Sequence, residues 1–171
     1  KFTFVGKSNK KHEIEINDED IPDLPALVMM CKDAKKGKGD DLFLFFDEEG
    51  NPQDVKAYHV NEYIQDASGE KFTAKDFRTW GGTKLAAEEI AQFKKKDDNK
   101  QRKKNITKMV KGVAKRLGNT PAVCRGSYIH PRFINDYLKG SFFRLWKETL
   151  GDQMYPLSES ESHVIRYLEN S

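Results

Sequence analysis

Leu117-Gly-Asn-Thr-Pro-Ala-Val-Cys-Arg-Gly-Ser-Tyr-Ile-His-Pro131 is the stretch around which the 171-residue chain is organised. Upstream, Ile106, Met109, Val110, Val113 and Leu117 recur at spacings of three and four, which predicts a helix with one apolar face. Lys108, Lys111 and Lys115 fall on its other side. Gly118 can end that helix as a left-handed glycine. Thr120-Pro121 then supplies an N-cap and a first-turn proline for a short helix that carries Tyr128 near its end. Pro131 breaks the chain again before the apolar run Phe133, Ile134, Tyr137 and Leu138. A tyrosine held between two such breaks can face something other than a core.

The segments before this one read as a few strands followed by helices. Phe2 and Phe4 alternate with polar residues, as does His12-Glu-Ile-Glu-Ile16, so the chain opens on a β-hairpin with a basic tip at Gly6–Lys11. A helix is expected over Ile21–Cys31, a strand over Leu42–Phe46, a turn over Asp47–Gln53 and a helix over Tyr58–Ala67. Thr73-Ala-Lys-Asp76 starts a further helix as a capping box would. Gly81-Gly82 is expected to interrupt it before it resumes over Leu85–Phe93, and Asp97–Lys104 is expected to be a polar loop. Two or three helices follow Pro131, the last one starting near Ser158–Ser162. There is no internal repeat and no linker, so the expectation is one α+β domain over residues 1–171.

Charge is uneven. The net charge is +3, yet Lys94–Arg116 holds eleven Lys or Arg against Asp97 and Asp98. Such a local excess marks either a solvated helix face or a surface for a polyanion. No apolar run approaches the roughly 20 residues of a membrane span, and Cys31 and Cys124 form no metal- or disulfide-type spacing.

The central stretch closely resembles the active-site segment of type IB DNA topoisomerases, in their small poxvirus-like and bacterial form. Two more segments match the family in the same order, as does a residue within the central stretch. Phe4-Val-Gly-Lys-Ser-Asn-Lys-Lys-His12 resembles its catalytic-lysine hairpin, Thr73-Ala-Lys-Asp-Phe-Arg-Thr-Trp80 its second catalytic-arginine segment, and Asn119 stands where poxvirus enzymes have histidine. The resemblance implies a mainly helical catalytic lobe with a small antiparallel sheet or hairpin at its N-terminus. It also implies relaxation of supercoiled double-stranded DNA through a 3′-phosphotyrosyl intermediate, without metal, ATP or other cofactor, by a monomeric cytoplasmic protein (nucleoid-associated if bacterial).

In that frame Tyr128 is the nucleophile, Arg78 and Asn119 hold the phosphate oxygens, Lys7 is the general acid and Lys75 supports them. Lys94, Lys95, Lys96, Arg102, Lys103, Lys104 and Arg125 are the DNA-contact candidates. Taken singly, these residues have plainer readings: Lys7 as a solvated loop lysine, Arg78 as a salt-bridge partner, Tyr128 as a core tyrosine, Asn119 as a cap. His12 and His130 are read as non-catalytic.

The sequence departs from the family at three points. A further catalytic arginine and a DNA-clamping domain would precede Lys1, so the resemblance implies a fragment with little activity by itself. Gly126 replaces a basic residue, and Asn9 replaces a turn glycine. Two rival readings are a tyrosine recombinase and a non-catalytic DNA-binding lobe. Recombinases carry His-x-x-Arg where this chain has Lys75-Asp-Phe-Arg78, which favours the topoisomerase.

Overall fold

The computed structural model describes residues 1–6, 9–16, 22–34, 42–95 and 98–170. They fall into two compact units, Lys1–Phe72 and Thr73–Ser171. No composition shift announces this boundary, because Thr73 is itself the N-cap of a helix.

The first unit is made of local elements. Strands β1 (Phe2–Gly6) and β2 (Lys10–Ile14) pair antiparallel with Phe4 opposite His12 and Gly6 opposite Lys10. Asn9 turns the tip with φ 58°, a left-handed conformation that asparagine tolerates in place of glycine. Helix α1 spans Leu24–Ala34. A second hairpin joins β3 (Leu44–Phe46) to β4 (Pro52–Asp54), and α2 (Ala57–Ser68) ends at Gly69 with φ 69°. The strand β4 occupies part of the expected turn Asp47–Gln53. Pro52 sits opposite Phe46 in a two-stranded ladder, where each strand has a free edge and a missing N–H costs no bond.

The regular elements described in the second unit are helices: α3 (Ala74–Ala91), α4 (Asn99–Arg116), α5 (Pro121–Ser127), α6 (Pro131–Lys139), α7 (Phe142–Glu148) and α8 (Glu159–Glu169). Helix α3 packs on α4, α6 and α8; α4 also packs on α5 and α6, and α6 on α7. Ile106, Met109, Val110 and Val113 are buried as their spacing predicts. Phe133, Phe142 and Tyr167, each no more than 1% exposed, build an aromatic centre with Trp146. Phe133 stacks on Tyr167 at 4.8 Å between centroids, and Phe142 on Trp146 at 5.3 Å.

Two expectations fail in this unit. Gly81-Gly82 does not interrupt α3, which runs unbroken for 18 residues. Asp97–Lys104 is not a loop throughout: Asp98 caps α4 by accepting from the backbone N–H groups of Lys100 and Gln101 at 3.0 and 3.1 Å. Lysine and arginine are good helix formers, and the cap lets their run join the helix.

The α6–α8 contact is polar as well as aromatic. Asp136 accepts from the Tyr167 hydroxyl at 2.9 Å and pairs with Arg132. Arg132 also donates to the carbonyls of Leu168 and Asn170. Burial, then the Asp136 carboxylate, pushes the Tyr167 phenol well above its ordinary value.

Candidate active site

The end of α4 sets the site's geometry. Gly118, with φ 68°, donates to the Lys115 carbonyl at 3.2 Å, and Asn119 N–H donates to Ala114 at 2.9 Å. These two bonds form a Schellman motif, which fixes the direction in which the chain leaves the helix. The Asn119 side-chain amide then turns back and donates to the Leu117 carbonyl at 3.2 Å.

That carbonyl has a second donor. Arg78, on the exposed first half of α3, donates to it through Nη2 at 2.6 Å. The helix that carries Arg78 is capped at its start, where Thr73 N–H and Oγ1 both donate to the Asp76 carboxylate at 2.8 and 2.7 Å. Those bonds hold the Asp76 carboxyl below its ordinary range. The expected capping box is therefore formed, one turn from Arg78.

Tyr128 completes the group. Thr120 caps α5 and Pro121 opens it; Tyr128 follows its last turn, with N–H donating to Cys124 at 3.0 Å. The phenol ring packs against the core on one side. The Arg78 guanidinium carbon lies over the ring, 5.4 Å from its centroid, within reach of a cation–π contact. Phenol, guanidinium and amide thus converge from three elements, with the Leu117 carbonyl oxygen shared by the two donors. Lys75 is exposed one turn before Arg78. Lys7 lies outside the described residues.

Two structural partners explain why Tyr128 sits there, and neither stood among the candidates. A Cβ on Gly82 would lie 2.5 Å from the Tyr128 carbonyl oxygen and 3.1 Å from its Cβ. The glycine lets the backbone of α3 approach that residue. Thr83, 3% exposed, accepts from His130 N–H at 3.0 Å and donates to the Tyr128 carbonyl at 3.4 Å. The Gly-Gly pair was the visible signal; its meaning was close approach rather than a break.

Among the basic candidates, Lys94, Lys95, Lys103, Lys104 and Arg125 are exposed, and Lys96 lies outside the described residues. Arg102 differs. It is half-buried, its guanidinium lies against Gly140, and its Nε is enclosed without a hydrogen-bond partner. Arg125 lines a groove between α4 and α5 with Thr107 and Lys111.

His130 caps α6, its Nδ1 accepting from Arg132 N–H at 3.3 Å, and His12 stacks on Phe4. Cys31 and Cys124 are free thiols, the latter raised in pKa by burial. No helix among the described residues is long and apolar enough to cross a membrane, and no group of three or more His, Cys, Asp or Glu among them could hold a metal ion.

Comparison with known proteins bears on this arrangement. The profile of the family described as "Eukaryotic DNA topoisomerase I, catalytic core" matches residues 1–141. DNA topoisomerase 1B of Acanthamoeba polyphaga mimivirus is 33% identical over 135 residues, which cover 75% of this chain and 38% of the viral protein. The chain therefore spans less than half the length of that relative.

Proposed function

The chain belongs to the type IB DNA topoisomerase family, and we propose that it supplies the catalytic core with which the protein opens and reseals one strand of duplex DNA. The observation that carries this reading is the shared acceptor. Arg78 and Asn119 aim two N–H donors at one oxygen, and the same Arg78 guanidinium lies over the Tyr128 ring. A non-bridging phosphate oxygen in place of the Leu117 carbonyl would receive the same two donors, now charge-assisted on the arginine side.

The chemistry follows from those groups. Tyr128 Oη attacks phosphorus, a phosphorus–Oη bond forms and the bond to the 5′ oxygen breaks. The phenol gives up its proton to water, and the departing 5′ oxygen takes one from a general acid. Lys7 is the proposed donor, with Lys75 in support. One phosphodiester is exchanged for another, so the bond energy is kept for resealing. Charge developing on the phosphorane oxygens is met by donors already held in position, which is the largest single contribution in most such reactions. The general acid adds about 10²–10⁴ in rate.

In this reading the two units work as one catalytic domain over residues 1–171. The protein binds double-stranded DNA as a monomer in the cytoplasm, at the nucleoid if its source is bacterial. The exposed lysines from Lys94 to Lys104, with Arg125, meet the backbone of the duplex. Arg102 contributes less, since its guanidinium is half-buried against Gly140.

The test is a denaturant quench of the intact protein on nicked or duplex DNA, followed by detection of a protein–DNA adduct. Tyr128→Phe is expected to abolish the adduct and leave DNA affinity nearly unchanged, with both proteins losing affinity steeply as salt rises. An adduct formed by the phenylalanine variant would remove Tyr128 from its role. Salt-sensitive binding with no adduct from the unaltered protein would leave a DNA-binding lobe without strand-opening chemistry.

A further inference from the structure

We infer that Thr83 is a positioning residue for the nucleophile, setting the distance between Tyr128 and the phosphate-holding Arg78. The inference rests on the reading of Tyr128 as the attacking group. Tyr128 itself is only half-buried, and it follows a seven-residue helix that cannot hold it rigidly by its own hydrogen bonds. What fixes its backbone comes from α3. The Thr83 hydroxyl accepts from His130 N–H and donates to the Tyr128 carbonyl, so it bridges the two peptide groups flanking Ile129. Ile129, 5% exposed, anchors the same turn in the core.

Gly82 makes the bridge possible. Any side chain there would collide with the Tyr128 carbonyl and crowd Leu117 Cδ1, the latter at 3.1 Å. With glycine, the helix backbone lies directly against both partners of the site, Tyr128 and the residue whose carbonyl holds Arg78 and Asn119. Arg78 and Thr83 stand five residues apart on one continuous helix. A single rigid element therefore carries the guanidinium and the anchor of the phenol's backbone. An in-line displacement needs the attacking oxygen and the held phosphate in a fixed relation, and a small displacement of either is expensive in rate.

The hydroxyl bonds to two main-chain groups, the Tyr128 carbonyl and the His130 N–H, and not to the reacting phenol or to Arg78, which is why it positions and does not react. A purely structural threonine would also satisfy the His130 N–H, so stability alone cannot test the idea. The rate of the chemical step can.

The experiment is single-turnover cleavage at saturating DNA by the intact protein carrying Thr83→Val or Thr83→Ser. Valine keeps the shape and removes both hydrogen bonds; serine keeps the hydroxyl. Thr83→Val is expected to cleave about tenfold to a hundredfold more slowly, with affinity for uncleaved DNA held within about twofold, and Thr83→Ser to recover most of the rate. A substrate with sulfur in place of the bridging 5′ oxygen needs no proton on its leaving group, so it should not rescue the valine variant. Rescue by sulfur would move the defect to the leaving group and overturn the proposal. So would a folded valine variant cleaving at the unaltered rate. If valine prevents folding, the serine variant decides: a folded serine protein slowed more than about tenfold would show that the hydroxyl is not what matters. Tyr128→Phe stays separate, since it tests the identity of the nucleophile and not its placement.

Discussion

Among the described residues of Lys1–Phe72, none is buried, whereas Thr73–Ser171 contains every buried residue from Gly82 to Tyr167. Both units have well-formed helices and both spend aromatic residues freely, so composition does not separate them. Their use of those residues does. Phe4, Phe43, Phe45, Phe46, Tyr58 and Tyr63 are all exposed in the first unit, at 42% or more. Phe133, Tyr137, Phe142 and Tyr167 interlock in the second at 1% or less. Hairpins with one residue opposite another close only local contacts, and an isolated two-stranded ribbon is marginal in water. The helices of the second unit bring distant segments together, which is what lets Arg78 reach a carbonyl 39 residues away. The described part of the candidate site belongs entirely to the unit with the packed core.

This contrast is most easily broken by truncating one aromatic in each unit. Phe133→Ala should cost about 3–5 kcal/mol, because it opens a cavity under Tyr167 and Trp146. Phe45→Ala, at 42% exposure, should cost less than about 0.5 kcal/mol. Both tryptophans, Trp80 and Trp146, lie in the second unit, so their fluorescence during denaturant unfolding reports that unit. A Phe45→Ala chain whose tryptophan transition moved as far as that of Phe133→Ala would dissolve the distinction.

Acid sharpens it. Burial lowers the pKa of His163 from 6.5, and hydrogen bonds from Ser158, together with Trp80 and Lys84, lower Glu161 from 4.5 to about 2. In both cases the unfolded chain binds the extra proton first, so stability falls as pH falls. The His163 contribution is complete above 6.5 and is lost below it; the Glu161 contribution is complete above 4.5 and is lost towards pH 2. Tryptophan-monitored midpoints in denaturant should therefore decline in two stages on acidification, and Glu161→Gln should flatten the lower stage. An unchanged lower stage in that variant would mean that the cap of α8 does not carry it.

The smallest expected effect is a gain. Gly126 lies in α5 with no heavy atom near the place a Cβ would take. Gly126→Ala should stabilise the second unit by about 0.5–1 kcal/mol, since alanine is the better helix former and meets nothing. Loss of stability on this change, read from the same fluorescence transition, would mean that α5 is held by something other than its own helical order.

How much of this was legible depends on whether the deciding contact was local. The stop at Gly118 and restart at Thr120-Pro121 could be read because caps act within four residues. The capping box at Thr73–Asp76 and the left-handed Asn9 were readable for the same reason. Gly82 was not: a glycine pair inside a helical pattern looks like punctuation until the backbone that presses against it is known. Asp98 was overlooked because a charged run hid a single cap. Arg102 looked like its neighbours Lys103 and Lys104, and only the turn at Gly140 sets it apart. The residues of the site were named by resemblance, but the Leu117 carbonyl that gathers them is a main-chain atom and leaves no mark in a sequence.

Under the proposed function, that carbonyl bears on selectivity. Arg78 and Asn119 each already place one N–H on this main-chain oxygen. Chloride, free phosphate or a nucleotide would have to displace a neutral acceptor already in contact, and would bring no duplex to help. Under the proposed function, a long polyanion docked along the lysines would arrive with its remaining contacts already made, so the exchange would favour the ligand anchored elsewhere first.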